Sequence, residues 1–339
     1  MASEKPFLRR AECSASGCRW PPAKAAPEDV NGDGRSDLVT VDSDGTAHVF
    51  RGTANGIEAT ASADSLTEQV DPALYDGGGH YLIDTADVSG DGRADLITIK
   101  GSGGVYVHRG RANRTFAPAI EAIDASLKPV MNGTGSFEPV GVIDLNDDGR
   151  GDLVGLDHAS SHLSAFFGQA NGTFLASGAR PDLTVDSALL DGRGDYLIDL
   201  VDSNRFNGAL LVTMSNQGTP AGPRPYAVYA DGESSGTYGT FFPASQAAVN
   251  PIFDDGSGEE PVGLADLNAD GNADLLTLDG TTLKLRTGDG LGLFARSATT
   301  AYAGSIDSSL LDGRGEELVG LFDYDRDRRA DLVSVNDDG

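Results

Sequence analysis

The sequence predicts an all-β fold assembled from repeated four-stranded units, and three observations carry that prediction. First, one acidic segment recurs: DVNGDGRSDLV from Asp29, DVSGDGRADLI from Asp87, DLNDDGRGDLV from Asp144, DLNADGNADLL from Asp266 and DYDRDRRADLV from Asp323. A degenerate copy, DSNRFNGALLV, starts at Asp202, so six copies follow one another at intervals of 57 to 64 residues. Second, each copy leads into short alternating runs broken by Gly, Asp and Asn turns, such as DLVTV-DSDG-TAHVFRG and DLITIK-GSGG-VYVHRG. That alternation is the period of a strand. Third, no segment carries the 3.6-residue periodicity of an amphipathic helix. A unit of this length holds four short strands with their turns, the size of one β-propeller blade.

A second pattern refines the count. LYDGGGHYL (Leu74 to Leu82), LLDGRGDYL (Leu189 to Leu197) and LLDGRGEEL (Leu310 to Leu318) precede the second, fourth and sixth copies. Glu138-Pro139-Val140-Gly141 and Glu260-Pro261-Val262-Gly263 precede the third and fifth. The reading is three pairs of blades, six in all with the last incomplete, and a seven-bladed ring is the alternative. Residues 20–339 form the propeller, and residues 1–19 form an N-terminal segment whose KPFLRRA stretch offers a closing outer strand. The stretch from Trp20 to Asp29 carries prolines where a first strand is due, and proline fits a sheet only at its edge.

Composition narrows the function. The chain has 52 acidic and 25 basic residues, a net charge of −27. Phosphate binding needs lysine and arginine clusters, so nucleic acid is excluded as a partner. No apolar run reaches the roughly 18 residues of a membrane span, so no membrane insertion is expected. The two cysteines, Cys13 and Cys18, are close in sequence and read as a local disulfide of an oxidising compartment.

The acids sit in a ligand-like pattern. Counting from the first Asp of each copy, oxygen donors fall at positions 1, 3, 5 and 9, position 7 offers its backbone carbonyl, and glycine at position 6 permits the sharp turn. The candidate metal ligands are Asp29, Asn31, Asp33, Arg35 and Asp37 in the first loop, and Asp87, Ser89, Asp91, Arg93 and Asp95 in the second. In the third they are Asp144, Asn146, Asp148, Arg150 and Asp152, and in the fifth Asp266, Asn268, Asp270, Asn272 and Asp274. The sixth offers Asp323, Asp325, Asp327, Arg329 and Asp331, but Arg328 replaces its turn glycine. The fourth has Phe206 and Leu210 at positions 5 and 9 and is expected to bind nothing. Several carboxylates on a flexible loop suit calcium better than magnesium, which demands stricter octahedral geometry. Four to five calcium ions are expected. An EF-hand is excluded, because its bidentate Glu at position 12 is replaced by Thr40, Thr98, Gly155, Thr277 and Ser334.

The acidic loop, the D-L-[VI] strand after it, and the segments RGTANG, RGRANRTF, GQANGTF and RTGDGLGLF resemble FG-GAP/VCBS repeats. The resemblance covers about residues 20–339. It implies an integrin-α-like, calcium-binding propeller of bacterial secreted proteins, with the ions in loops joining the first two strands of each blade. It implies an extracellular setting and no single activity.

The expected function is therefore a secreted, monomeric, non-catalytic binding or adhesion module for carbohydrate or an extracellular protein, suited to serve as an accessory domain of a larger secreted protein. The alternative is a secreted polysaccharide hydrolase or lyase with its site on a propeller face. No G-x-S-x-G elbow is present. Arg150-Gly151-Asp152 and Arg193-Gly194-Asp195 spell an adhesion tripeptide, but both coincide with repeat positions. The longest interval contains an aromatic-rich stretch, and Tyr229, Tyr238 and Phe241 are the candidate ligand-binding residues there.

Overall fold

A computed structural model describes residues 12–14, 17–19, 25–41, 47–54, 56–58, 80–100, 104–123, 137–144, 148–157, 162–176, 195–203, 208–215, 224–229, 260–290, 294–295, 297–301, 317–325 and 327–335. These residues form strands and turns, with no helix among them.

Six antiparallel sheets follow one another, each a meander of consecutive strands. The first contains Ala25–Glu28, Asp37–Val41 and Ala47–Phe50, extended by a hairpin of Gly52–Thr53 and Gly56–Ile57. The second contains His80–Ala86, Asp95–Lys100, Val105–His108 and Ile120–Glu121. The third contains Phe137–Ile143, Asp152–Asp157, His162–Gly168 and Phe174–Ala176. The fourth contains Asp195–Ser203, Gly208–Ser215 and Arg224–Tyr229, and the fifth Glu260–Ala265, Asp274–Asp279, Thr282–Arg286 and Thr299–Thr300. In the sixth, the described strands are Glu317–Phe322 and Asp331–Val335. The first strand of each sheet packs beside the first strand of the next, and Glu317–Phe322 returns to Ala25–Glu28. The first strands thus line the axis of a closed ring, which is the β-propeller architecture.

An innermost strand is a sheet edge, and this resolves the proline problem. Pro27, Pro139 and Pro261 all lie in first strands, where the missing N–H costs no ladder bond on the axial side. The first strands of the second to sixth sheets share a further feature, a β-bulge four residues before the acidic loop. The register shifts fall between Leu82 and Asp84, Pro139 and Gly141, Leu197 and Asp199, Pro261 and Gly263, and Leu318 and Gly320. The skipped residue is β-branched each time: Ile83, Val140, Ile198, Val262 and Val319. Ile83 and Val262 are buried in the apolar layers of their blades. The bulge therefore turns a side chain inward where the strand would alternate it away.

The core lies between blades. Ile83, Val88, Ile97, Val105 and Val107 of the second sheet pack with Leu153, Phe166 and Phe174 of the third. Backbone bonds tie the seams as well: Phe174 N donates to Ala122 O at 2.6 Å, and Val142 N donates to Asp84 Oδ2 at 3.0 Å. At the N-terminus Glu12–Ser14 and Gly17–Arg19 pair, with Cys13 opposite Cys18 in register.

Candidate metal centres

Each acidic loop joins the first and second strands of its blade, so all five lie on one face of the ring. Their backbone is held by the aspartates themselves. The position-1 carboxylate accepts from the amides that follow it: Gly32 and Asp33 donate to Asp29 Oδ1 at 2.7 and 3.1 Å. Gly90, Asp91 and Gly92 donate to Asp87 at 2.7, 3.2 and 2.7 Å. Asp144, Asp266 and Asp323 accept from the amides of Gly149, Gly271 and Arg328 at 2.7, 2.8 and 2.9 Å. Position 5 accepts from the amide of position 7, as in Arg93 N to Asp91 Oδ1 at 3.2 Å and Arg329 N to Asp327 Oδ1 at 2.8 Å.

The turn at position 6 requires a left-handed backbone, with φ of 79° at Gly34, 78° at Gly92 and Gly149, and 83° at Gly271. Arg328 adopts the same conformation, φ 72°, so the sixth loop keeps the common shape without the glycine. An L side chain there is strained by roughly 1 kcal/mol. Arg328→Gly is accordingly expected to stabilise the protein by about 1 kcal/mol, read as a higher denaturant midpoint with an unchanged slope.

Position 9 has a second task that the repeat pattern alone does not reveal. Asp37, Asp95, Asp152 and Asp274 are fully buried. Each accepts a backbone N–H from the end of its blade's third strand: Gly52, Gly110, Gly168 and Gly288, at 3.1, 2.9, 2.8 and 2.9 Å. Asp37, Asp95 and Asp274 also accept from position 2 of the loop, Val30, Val88 and Leu267, each at 3.2 Å. The glycines are needed because the backbones touch. A Cβ on Gly52, Gly110, Gly168 or Gly288 would lie 2.1, 2.2, 2.4 or 2.0 Å from the carbonyl oxygen of position 8. Their cross-strand partners are Ile57, Phe116, Phe174 and Phe294. Ile57 directly follows the RGTANG segment, and the three phenylalanines end the RGRANRTF, GQANGTF and RTGDGLGLF segments. The signal was in the sequence, as a glycine 14 to 16 residues beyond the position-9 aspartate.

In the sixth loop the same carboxylate keeps its position-2 partner, but its other oxygen lacks the bond that a third-strand glycine supplies elsewhere. Asp331 accepts from the Tyr324 amide, but its Oδ2 is buried with no hydrogen-bond partner. Beside it, carboxylate oxygens of Asp323, Asp325 and Asp327 lie within 4.8 Å of one another. Three hard carboxylate oxygens this close together fit a calcium ion. A loop that lacks the turn glycine thus keeps three acids close together.

Burial, and then the neighbouring loop carboxylates, push Asp95 up to about 7 and Asp331 up to about 6. For Asp37, raised to about 6, burial is again the main cause. The folded chain then binds protons more tightly than the unfolded chain, so the metal-free protein gains stability as pH falls from about 8 towards 5. Calcium requires the charged forms, and its stabilising effect shrinks over the same interval. Thermal melts at both ends of that range, with chelator and with calcium, are expected to show the two opposite trends.

The fourth loop is a different structure. Its first strand runs on through Asp202, paired with Ala209, and Ser203, paired with Gly208. In the other blades pairing stops just before position 1. Positions 1, 2, 7 and 8, which elsewhere belong to the acidic loop, are here paired in the ladder. Of the remaining sequence candidates, Asn146, Tyr238 and Phe241 lie outside the described residues, and Tyr229 ends the strand Arg224–Tyr229. Asp152 of the Arg150-Gly151-Asp152 triplet is fully buried, so that tripeptide is not displayed.

Ring architecture and acidic first-to-second-strand loops define a repeat β-propeller. Residues 29–98 and 87–155 match the FG-GAP-like repeat, and the β-propeller fold is consistent with that repeat. No curated protein matches the sequence. Among solved structures, an Agrocybe aegerita lectin that recognises non-reducing terminal N-acetylglucosamine is similar, with a TM-score of 0.58 and 19% identity over 93% of this chain and 75% of that one. The Photorhabdus luminescens Tc holotoxin pore is also similar, with a TM-score of 0.54 and 15% identity over 98% of this chain and 14% of that one. At these identities the likeness is one of fold.

Proposed function

We propose that this propeller is an extracellular, calcium-stabilised, non-catalytic binding module, with carbohydrate or a surface protein as its ligand. The observation that carries the calcium reading is the sixth loop, where carboxylate oxygens of Asp323, Asp325 and Asp327 lie within 4.8 Å of one another. The extracellular reading rests on calcium supply and on Cys13 standing opposite Cys18. The carbohydrate reading is supported by the fold shared with a lectin that recognises terminal N-acetylglucosamine. The fourth blade is the proposed ligand side, because its loop has left the metal pattern and the aromatic stretch from Tyr229 follows it.

The test is a glycan and surface-protein binding screen run with and without calcium. Binding without turnover supports the module. Turnover of a polysaccharide, lost on changing one acid outside the acidic loops, supports the hydrolase or lyase instead. The loop assignments are checked separately: Asp325→Ala removes one ion, and Asp202→Ala removes none.

A further inference from the structure

Neighbouring acidic loops are bonded to one another. In three seams the bond runs through the position-1 aspartate, which holds its own loop with its carboxylate and accepts with its backbone carbonyl from position 8 of the next blade. Ala94 N donates to Asp29 O at 2.7 Å, Gly151 N to Asp87 O at 2.6 Å and Ala330 N to Asp266 O at 2.8 Å. The loops also touch at a second point. A Cβ on Gly32, at position 4 of the first loop, would lie 3.1 Å from Cγ of Arg93, at position 7 of the second. A Cβ on Gly90 would lie 3.0 Å from Cγ of Arg150, at position 7 of the third. Across the closing seam Arg35 Nη1, at position 7 of the first loop, donates to the backbone carbonyl of Asp325 in the sixth at 2.7 Å. The fourth blade departs from this pattern, because its positions 1 and 8, Asp202 and Ala209, are partners of each other in its own ladder. The contacts therefore join the fifth, sixth, first, second and third loops in ring order, and the fourth blade separates the two ends of that run.

We infer that calcium binding is cooperative along this run, each filled loop raising the affinity of the loops next to it. This rests on the calcium reading above and adds coupling between sites to it. An ion held by a position-1 carboxylate fixes that residue, and the residue's carbonyl then fixes position 8 of the next blade. Position 8 lies between the position-7 carbonyl and the position-9 aspartate, so the next ion meets ligands whose backbone is already ordered. The effect is reciprocal, since coupling between two binding sites is the same in both directions. Repulsion between bound ions opposes it only weakly. The first loop sets three carboxylates, Asp29, Asp33 and Asp37, against the two charges of calcium, so a filled loop stays anionic. A coupling of about fivefold for each filled neighbour is expected, at the low end of such linkages.

Native mass spectrometry of the wild-type chain at graded calcium concentrations tests this without any variant. The expected result is more empty and more fully loaded chains than independent filling gives, with a Hill coefficient of about 2 by calorimetry. Arg35→Met removes the side-chain bond at the closing seam and keeps the backbone carbonyl of position 7, and it is expected to lower the Hill coefficient towards about 1.5. Two position-5 variants read the order of the run. Asp33→Asn, in the first loop with a neighbour on each side, removes one ion and weakens two others about fivefold. Asp148→Asn, in the third loop at the end of the run, removes one ion and weakens one other. Ions distributed as independent filling predicts, or loop variants that each remove one ion and leave the rest unchanged, overturn the coupling while leaving calcium binding in place. A chain that binds no ion overturns both.

Discussion

Chelating calcium is expected to lower the midpoint of thermal unfolding by on the order of 10 °C. A loop saturated at about 100 times its dissociation constant adds about 2.7 kcal/mol, so two such loops add about 5 kcal/mol. For a chain of this length 1 kcal/mol moves the midpoint by roughly 1.5 °C, so two filled loops alone supply most of the shift. The physical source is repulsion that only the cation relieves. Asp323, Asp325 and Asp327 crowd together, and each pair near 4 Å costs about 1 to 4 kcal/mol, depending on local dielectric. Readdition of calcium restores the midpoint, and magnesium restores it poorly because it is reluctant to shed water for a loop of this shape. A midpoint unmoved by chelator contradicts the assignment of these loops.

The second large effect is expected at the clamp beneath the loops, and it does not depend on metal. In Gly110→Ala the new Cβ would stand 2.2 Å from the carbonyl oxygen of Ala94, a backbone atom that cannot swing aside. The third strand must shift, and the bond from Gly110 N to Asp95 is lost with it. Overpacking and an unsatisfied buried group together cost about 3 to 5 kcal/mol. Asp95→Ala reaches a similar loss by the opposite route, since it leaves the buried amide of Gly110 without its acceptor and removes one of the two acceptors of the Val88 amide. Both variants are compared with wild type in chelator by denaturant melts. A loss below about 1 kcal/mol in both shows that the clamp does not hold the blade.

Much of this was legible in the sequence for a physical reason. A repeat that closes a ring presents the same turn at the same place in successive blades, and that turn is acidic in five copies and glycine-punctuated in four of them. The six copies and the strand alternation lead directly to the propeller, and the changes at Phe206 and Leu210 predict the departure seen in the fourth blade. What stayed hidden depends on partners distant in sequence. The position-9 aspartates read as ligands, yet their burial comes from glycines 14 to 16 residues away that bring two backbones together. The bulges at Ile83 and Val262 are set by pairing register, which a single strand does not display. Arg328 read as a defect because glycine is the usual left-handed residue, but the surrounding hydrogen bonds impose that conformation on arginine. The prolines read as obstacles until the first strand was seen to be the inner edge.

The central claim, that the acidic loops of this propeller hold calcium, is tested most directly by counting ions on the folded chain. Equilibrium dialysis against millimolar calcium, followed by metal analysis of the protein, is expected to give about five ions per chain, and about four for Asp325→Ala. A folded chain that retains none contradicts the claim, whatever the melting curves show.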